Sequence, residues 1–239
     1  MNPDQALLSV QQLHAHYGKS HILHGVSFEV RQNEVVSLLG RNGSGRSTTM
    51  KALMGLVPPS AGEVHLQGRN LTGQRPFVIC RAGLGYVPEE REVFANLTVD
   101  ENLRMGEQPA VSGAARWTVE EMFDYFPRLQ ERRNTKAGSL SGGEQQMLTI
   151  CRSLLGNPLV LLIDEPTEGL APKIVTAVGE CIQDMHRRGV SVVLVEQKLA
   201  IALKVSTRVC VMGHGRIVFE GSPQALMADE QLLSDWLAV

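Results

Sequence analysis

The feature that most constrains the fold is a glycine-rich loop between a buried strand and a helix. Residues 35–39 are apolar almost throughout, which is typical of a strand covered on both faces. This strand leads directly into the loop 40–45, and residues 47–54 have a composition compatible with a helix. Gly55 and the pair Pro58–Pro59 end that helix. The order of strand, loop and helix predicts a phosphate-binding site in an α/β fold.

The loop follows the pattern G-x-x-x-x-G-K-[ST] except at one position, where Arg46 replaces the expected lysine. Glycines let backbone N–H groups curl around a phosphate, and the positive end of the following helix points at it. The hydroxyl of Ser47 is the expected ligand of Mg²⁺. The alternative is a glycine-rich turn that binds nothing. The residues predicted to bind the nucleotide phosphates are Gly40, Arg41, Asn42, Gly43, Ser44, Gly45, Arg46, Ser47 and Thr48.

Arg46 changes the chemistry of this loop. A lysine is a compact point charge that fits between the terminal phosphates, whereas an arginine keeps the charge but is bulkier, planar and forked. We expect nucleotide binding to survive this exchange and turnover to be reduced. A site that binds nucleotide without hydrolysing it is the alternative.

A second apolar strand, residues 159–163, ends in the adjacent carboxylates Asp164 and Glu165. Ligands of open α/β sheets bind at the carboxyl ends of the strands, so this pair is expected beside the phosphate loop. Asp164 would hold Mg²⁺ through a water molecule, and Glu165 would polarise the attacking water. A solvated acidic turn is the alternative.

Residues 140–145 read Leu-Ser-Gly-Gly-Glu-Gln and begin another predicted helix. Ser141 is the expected N-cap, and Glu144 completes a capping box. Ser141, Gly142 and Gly143 beside a helix N-terminus also form a cradle that suits an anion. The alternative is a segment that only starts a helix.

The rest of the chain alternates strands with helices, which predicts an α/β fold around a mainly parallel sheet. Near the N-terminus, Val26, Phe28 and Val30 alternate in the manner of a strand that is buried on one face. Residues 99–157 have a helical pattern, so we expect an inserted helical lobe beside a core lobe with an antiparallel N-terminal β part. The helical pattern is broken at Pro109, Gly113 and Pro127. The expected bounds are 1–88 and 158–239 for the core lobe and about 89–157 for the helical lobe.

Composition limits the choice of partners. The formal net charge of −2 gives no reason to expect nucleic acid, because a phosphate backbone attracts clustered Lys and Arg. No apolar run approaches the roughly 18 residues that cross a bilayer, and no signal peptide is visible. If such a chain serves a membrane, it would do so from the cytoplasm and through other chains. The cysteines are expected to be reduced, buried thiols, and His14 and His16 to be surface or edge residues without a metal.

The order of these segments resembles the ABC ATPase family. The loop 40–47, the segment 140–143 and the strand that ends in Asp164–Glu165 follow one another as in that family, across essentially the whole chain. The resemblance implies a P-loop NTPase (RecA-like) fold, with residues 1–239 as a single ABC ATPase domain. It also implies a sandwich of two subunits, in which the 140–143 segment of one closes over ATP held by the other. Tyr17 lies where such proteins stack an aromatic ring on adenine; the alternative is a half-buried aromatic residue at a strand end.

Glu89 and Gln197 are similar to the branched-chain amino-acid uptake branch of this family and to its urea-uptake relatives. Residues 54–56, 143–148 and 164–172 resemble the same branch. Glu89 stands where the family usually offers Gln to Mg²⁺ and the nucleophilic water, and Gln197 stands where a His usually senses the γ-phosphate. Glutamine has no titratable proton near neutral pH. We therefore expect that no ionisation of residue 197 contributes to the pH dependence of the turnover rate.

The resemblance implies an ATP-binding and hydrolysing subunit of an importer, with ATP and Mg²⁺ as cofactors. The expected partners are integral-membrane permease subunits, a second ABC ATPase subunit or a second copy of this chain, and indirectly an extracytoplasmic solute-binding protein, without nucleic acid. The expected location is the cytoplasmic face of the inner membrane, as a peripheral protein.

Two other interpretations of the function stay open, and so does the identity of the transported solute. One is an ATP-binding regulatory subunit with little hydrolysis because of Arg46, and another is a soluble ABC protein of DNA repair or translation. Branched-chain amino acids, urea, amides and small aromatic acids are all open as the solute, since ATPase chains do not contact it.

Overall fold

A computed structural model describes residues 6–110 and 114–237 of the chain. The strands are β1 (Leu8–Tyr17), β2 (Ser20–Val30), β3 (Val35–Leu39), β4 (Pro59–Leu66), β5 (Arg69–Asn70), β6 (Leu84–Val87), β7 (Val160–Asp164), β8 (Ser191–Val195), β9 (Arg208–Gly213) and β10 (Arg216–Gly221). The helices are α1 (Arg46–Leu53), α2 (Pro76–Arg81), α3 (Val99–Gly106), α4 (Val119–Tyr125), α5 (Pro127–Glu131), α6 (Gly142–Leu154), α7 (Pro172–Arg187), α8 (Leu199–Val205), α9 (Pro223–Met227) and α10 (Glu230–Trp236), with a 3-10 turn at Ala137–Ser139.

The main sheet has six strands in the order β10-β9-β3-β8-β7-β6. Its strands are parallel except for β10, which pairs with β9 in an antiparallel hairpin. Every residue of β3, β7 and β8 is buried, which explains why these strands are apolar almost without interruption. The prediction of a mainly parallel sheet in an α/β fold is confirmed. The carboxyl ends of the three buried strands lie at one edge of the sheet, and the candidate site is built there.

A second, antiparallel sheet lies near the N-terminus, in the order β2-β1-β4-β5. Val26, Phe28 and Val30 are buried along β2 while Glu29 is exposed, so the predicted alternation and the predicted antiparallel β part are confirmed. A hydrogen bond of 2.8 Å from the amide of His24 to the carbonyl of Gly215 joins this sheet to the β9–β10 turn.

Helices α3 to α6 lie between β6 and β7 in the chain. Their apolar residues pack with Leu161 and Ile163 of β7 in one hydrophobic cluster. Thr98, Thr118 and Ser141 begin α3, α4 and α6 with complete capping boxes. Gly113, one of the predicted breaks, lies outside the described residues. The division into a core lobe and a helical lobe stays a prediction.

The exposure of the cysteines differs from expectation at one position. Cys151, Cys181 and Cys210 are buried, but Cys80 is exposed, so the expectation of buried thiols is wrong for Cys80. Within the described ranges, no helix is long and apolar enough to cross a membrane.

Candidate functional site

The glycine loop adopts a conformation that only glycine tolerates at two positions. A Cβ on Gly40 would lie 2.4 Å from the carbonyl oxygen of Met212, and Gly45 has a φ of 104°. Gly45 is also the N-cap of α1 and makes no side-chain cap bond, so the first N–H groups of this helix face an anion site without competition. The hydroxyl of Ser44 is buried and has no hydrogen-bond partner within the described part of the chain. These features fit a bound phosphate.

The loop forms one wall of a pocket of about 320 Å³. The pocket is lined by glycines, by the cation Arg46 and by three glutamates, so a bound phosphate would need a metal cation as well as Arg46 to offset the negative charge. Its lining residues are Asn42, Gly43, Ser44, Gly45, Arg46, Ser47, Thr48, Glu89, Glu165, Glu168 and Gln197. Seven predicted loop residues, 42–48, therefore share one cavity with Glu89, Glu165 and Gln197, which were predicted from three other segments of the chain.

Arg46 lies almost fully buried across this pocket. Its guanidinium donates hydrogen bonds to Glu165 Oε1 at 3.2 Å, to Asn42 Oδ1 at 3.3 Å and to the carbonyl of Glu196 at 3.3 Å. The forked shape of arginine allows it to reach three acceptors at once. The cation that is expected to bind phosphate is therefore paired with the expected base.

Asp164 is placed against the start of α1. Ser47 Oγ donates to its Oδ1 at 3.1 Å, and the Tyr86 hydroxyl donates to its Oδ2 at 3.4 Å. Burial raises the pKa of Asp164 to about 6, and the nearby charge of Glu89 adds to the rise. A carboxylate in this position favours a bound cation, so Ser47 and Asp164 lie together as predicted for a metal site.

Glu165 follows Asp164 with a φ of 46°, in the left-handed region that residues other than glycine seldom adopt. Gln197 Nε2 donates to Glu165 Oε2 at 2.5 Å, while Arg46 holds the other oxygen. Burial raises the pKa of Glu165, and the hydrogen bond from Gln197 and the charge of Arg46 oppose the rise. A partly desolvated carboxylate of this kind suits a general base.

Glu89 belongs to an acidic cluster. Carboxylate oxygens of Glu89, Glu165 and Glu168 lie within 4.8 Å of one another. Such a concentration of negative charge beside a phosphate loop is balanced most simply by a cation, and carboxylates are ligands that Mg²⁺ prefers. The donor set of the pocket therefore fits Mg²⁺ bound with a nucleotide.

The segment Ser141, Gly142 and Gly143 lies apart from the phosphate pocket. Ser141 accepts a hydrogen bond from the amide of Glu144 at 3.3 Å and lines a separate groove with it. The predicted capping box is present, and Ser141, Gly142 and Gly143 do not line the phosphate pocket of their own chain.

Arg91 was missed by the sequence analysis. Its Nη2 donates to the carbonyl of Glu168 at 2.7 Å, and a Cβ on Gly142 would lie 2.4 Å from its Nη1. Arg91 thus connects the acidic cluster with the start of α6. A lone arginine in a loop carries no pattern that could have shown this role.

Glu196 was also missed. It is buried, accepts from Thr167 Oγ1 at 2.7 Å, and accepts from the amides of Gln197 and Lys198 at 2.9 and 3.0 Å. These bonds hold the loop that presents Gln197 to Glu165. In the sequence, the position of Gln197 after a buried strand indicated a role for Gln197. Nothing in the sequence indicated that Glu196 holds its loop in place.

Tyr17 ends β1 and its side chain is 49% exposed. It has an open aromatic face, as a residue that stacks on a base requires. The predicted role in adenine binding stays a prediction.

Comparisons with known proteins place this geometry in a family. The family model described as ABC transporter matches residues 23–168. The branched-chain amino acid transport ATP-binding protein BraG of Pseudomonas aeruginosa is 41% identical over 97% of this chain and 99% of its own length. The chain belongs to the ABC transporter family. A probable branched-chain amino acid transport ATP-binding protein, LivF, of Archaeoglobus fulgidus is 34% identical over 94% of this chain and 96% of its own length.

Solved structures agree with this family assignment. A nucleotide-free ATP-binding cassette from an ABC transporter superposes with a TM-score of 0.83 at 25% identity, covering 98% of this chain and 99% of that one. An ATP-binding cassette in its ADP conformation gives a TM-score of 0.80 at 25% identity, covering 96% and 98%. The predicted P-loop NTPase fold and the resemblance to ABC ATPases are confirmed.

Proposed function

We propose that the chain is the ATP-hydrolysing subunit of an importer for branched-chain amino acids or related small solutes. The observation that carries the proposal is the placement of Glu165 in the pocket of the phosphate loop, within reach of Arg46 and Gln197. The two curated relatives described above support the class of solute through their names.

The residues of the pocket divide the reaction between them. Backbone N–H groups of the glycine loop and the guanidinium of Arg46 bind the phosphates, and Tyr17 stacks on the adenine. Glu165 polarises the attacking water, and Gln197 donates a hydrogen bond to a phosphate oxygen. Arg46 and Gln197 both contact Glu165, so each would exchange this partner for a phosphate oxygen when it binds nucleotide.

Mg²⁺ would be held by Ser47, Asp164 and Glu89. When bound, it supplies positive charge that offsets the charge developing on the transferred phosphoryl group. The raised pKa of Asp164 supports this assignment, because a nearby cation would relieve the cost of ionising a buried carboxyl group.

A second ATPase subunit, either a different chain or another copy of this one, completes the site. Ser141, Gly142 and Gly143 would cover a nucleotide held by the loop of that partner. Their position away from the phosphate pocket of their own chain supports the exchange of segments between two subunits.

Membrane permease subunits would dock in a groove of about 780 Å³ between α2 and α3. Phe77, Phe94 and Met105 line this groove, and their side chains are 50%, 47% and 60% exposed. Large exposed apolar side chains that share one groove are typical of a binding surface. The chain would then lie at the cytoplasmic face of the inner membrane and depend indirectly on an extracytoplasmic solute-binding protein, without nucleic acid.

Co-purification from membranes tests this proposal. Affinity purification of the chain should recover integral-membrane proteins, and the double substitution Phe77→Asp and Phe94→Asp should abolish their recovery. Met227→Asp is the control, since Met227 is 49% exposed and does not line the groove. Recovery of membrane proteins that is equal for all three proteins would contradict the docking surface.

Uptake assays test the class of solute. Cells that lack the chain should lose uptake of labelled leucine, and wild type should restore it whereas Glu165→Gln should not. Unchanged leucine uptake in cells without the chain would contradict the proposed solute.

Neither the relatives nor the geometry of the pocket favours the alternative of a regulatory subunit without hydrolysis.

A further inference from the structure

The β1–β2 hairpin brings four histidines together on one face. His14 and His16 lie on β1, opposite His24 and His21 of β2 in the strand register. Leu13, Ala15 and Leu23, which alternate with them, are fully buried on the other face. A register shift between Ala15 and His16 places His21 opposite His16 although His21 is three residues from His24, and the ring contacts show that all four imidazoles lie together on one face.

His21 is the centre of this group. Its ring centroid lies 4.1 Å from that of His16, 3.9 Å from that of His24 and 5.2 Å from that of His14. The sequence analysis named only His14 and His16, because nothing in the sequence shows which residues of β2 lie opposite them. Their expected surface position is correct, although β1 is an inner strand of its sheet.

Two nitrogens of the group already converge. His14 Nδ1 and His21 Nε2 are 3.1 Å apart. Two nitrogen ligands at 2.0–2.1 Å from a tetrahedral Zn²⁺ are separated by about 3.3 Å, so an ion fits this pair after a small movement. Neutral imidazole is a common ligand of Zn²⁺, Ni²⁺ and Cu²⁺.

We propose that His14, His21 and His24 form a binding site for a transition-metal dication such as Zn²⁺ or Ni²⁺. His14 binds through Nδ1 and His21 through Nε2, and the proton now shared between these atoms moves to the outer nitrogen of its ring. Among the described residues, nitrogens of these three rings do not all lie within 4.8 Å of one another, so the His24 ring, tilted 44° from that of His21, must turn to supply the third nitrogen. His16 stacks parallel to His21 at 8° and bonds Ser60, so it supports the His21 ring without binding the ion.

The charges around the group set its affinity. Arg216 of β10 is the cation that acts on His24. Arg216 also repels a dication, and the site lies at the surface. We therefore expect affinity in the micromolar range rather than that of a buried structural zinc site.

Calorimetric titration with Zn²⁺ alone tests the proposal, using the full-length chain without an affinity tag. Wild type should bind one ion, and His21→Asn and the pair His14→Asn with His24→Asn should each weaken binding by roughly tenfold or more. His65→Asn is the matched control, because His65 lies on β4 beside Glu63, away from the group. Thermal unfolding of each variant confirms that the exposed substitutions leave the fold intact.

A second readout separates this site from the acidic cluster of the nucleotide pocket. Electron paramagnetic resonance of bound Cu²⁺ should show nitrogen coupling in wild type and in Glu89→Gln, and should lose it in His21→Asn. Zinc binding that is unchanged in His21→Asn, or a Cu²⁺ spectrum with oxygen ligands only, would overturn the proposal.

Discussion

At the scale of single residues, the most consequential contact is the ion pair between Arg46 and Glu165. Both side chains are buried, so the pair is weakly screened and its partners are costly to separate. Gln197 holds the second oxygen of Glu165. Glu165, the proposed base, is therefore restrained from two sides. The sequence predicted that Arg46 would matter but gave no sign that it pairs with Glu165.

The first prediction concerns this pair. Arg46→Lys should raise ATP turnover roughly fivefold, the factor that corresponds to about 1 kcal/mol for one hydrogen bond released from the base. Lysine keeps the charge for phosphate but cannot contact Glu165, Asn42 and the Glu196 carbonyl with one planar group. Steady-state ATPase rates at saturating ATP measure the effect. Equal rates for both proteins would show that Arg46 is no handicap.

At the scale of structural elements, the site depends on where buried strands end. The strand–loop–helix order around β3 and the acidic end of β7 were predictable, because a buried strand leaves an apolar run and its ligands follow at the carboxyl end. Arg91 and the histidines His21 and His24 were not predictable. Their contacts depend on strand register and loop conformation, which a single sequence does not specify.

The second prediction compares two capping boxes. Ser141→Ala and Thr118→Ala each remove the N-cap of a helix, α6 and α4, and each should lower the free energy of unfolding by about 1 kcal/mol. Only Ser141→Ala should also reduce ATP turnover, because only Ser141 belongs to the segment proposed to cover the partner's nucleotide. Denaturant unfolding and ATPase assays measure the two effects. Equal losses of activity in both variants would contradict the role of Ser141.

At the scale of the whole molecule, the side chain of Arg208 ties the two sheets together. Arg208 on β9 donates to both oxygens of Glu34, at 2.7 and 2.8 Å, and to the carbonyl of Glu29 on β2 at 2.6 Å. Glu34 is partly buried, which alone would raise its pKa, but the bonds from Arg208 and Arg31 outweigh burial and lower it.

The third prediction follows from this lowered pKa. Glu34→Gln should lower the free energy of unfolding by about 2 kcal/mol at pH 7. A carboxyl group with a lowered pKa in the fold stabilises it above the unfolded pKa of 4.5, and this contribution is lost as pH falls through the folded pKa. The difference between the two proteins should therefore shrink below about pH 4.5. Urea unfolding across pH measures it, with the exposed Glu63→Gln as a control that should differ little.

The central claim is that Glu165 activates water for a nucleotide bound by the glycine loop. Mg²⁺–ATP binding and hydrolysis, measured on wild type and Glu165→Gln in the same preparation, test it most directly. Both proteins should bind the nucleotide at submillimolar concentration, while hydrolysis by Glu165→Gln should be at least about 100-fold slower. Equal hydrolysis rates, or no binding by wild type at millimolar ATP, would contradict the account.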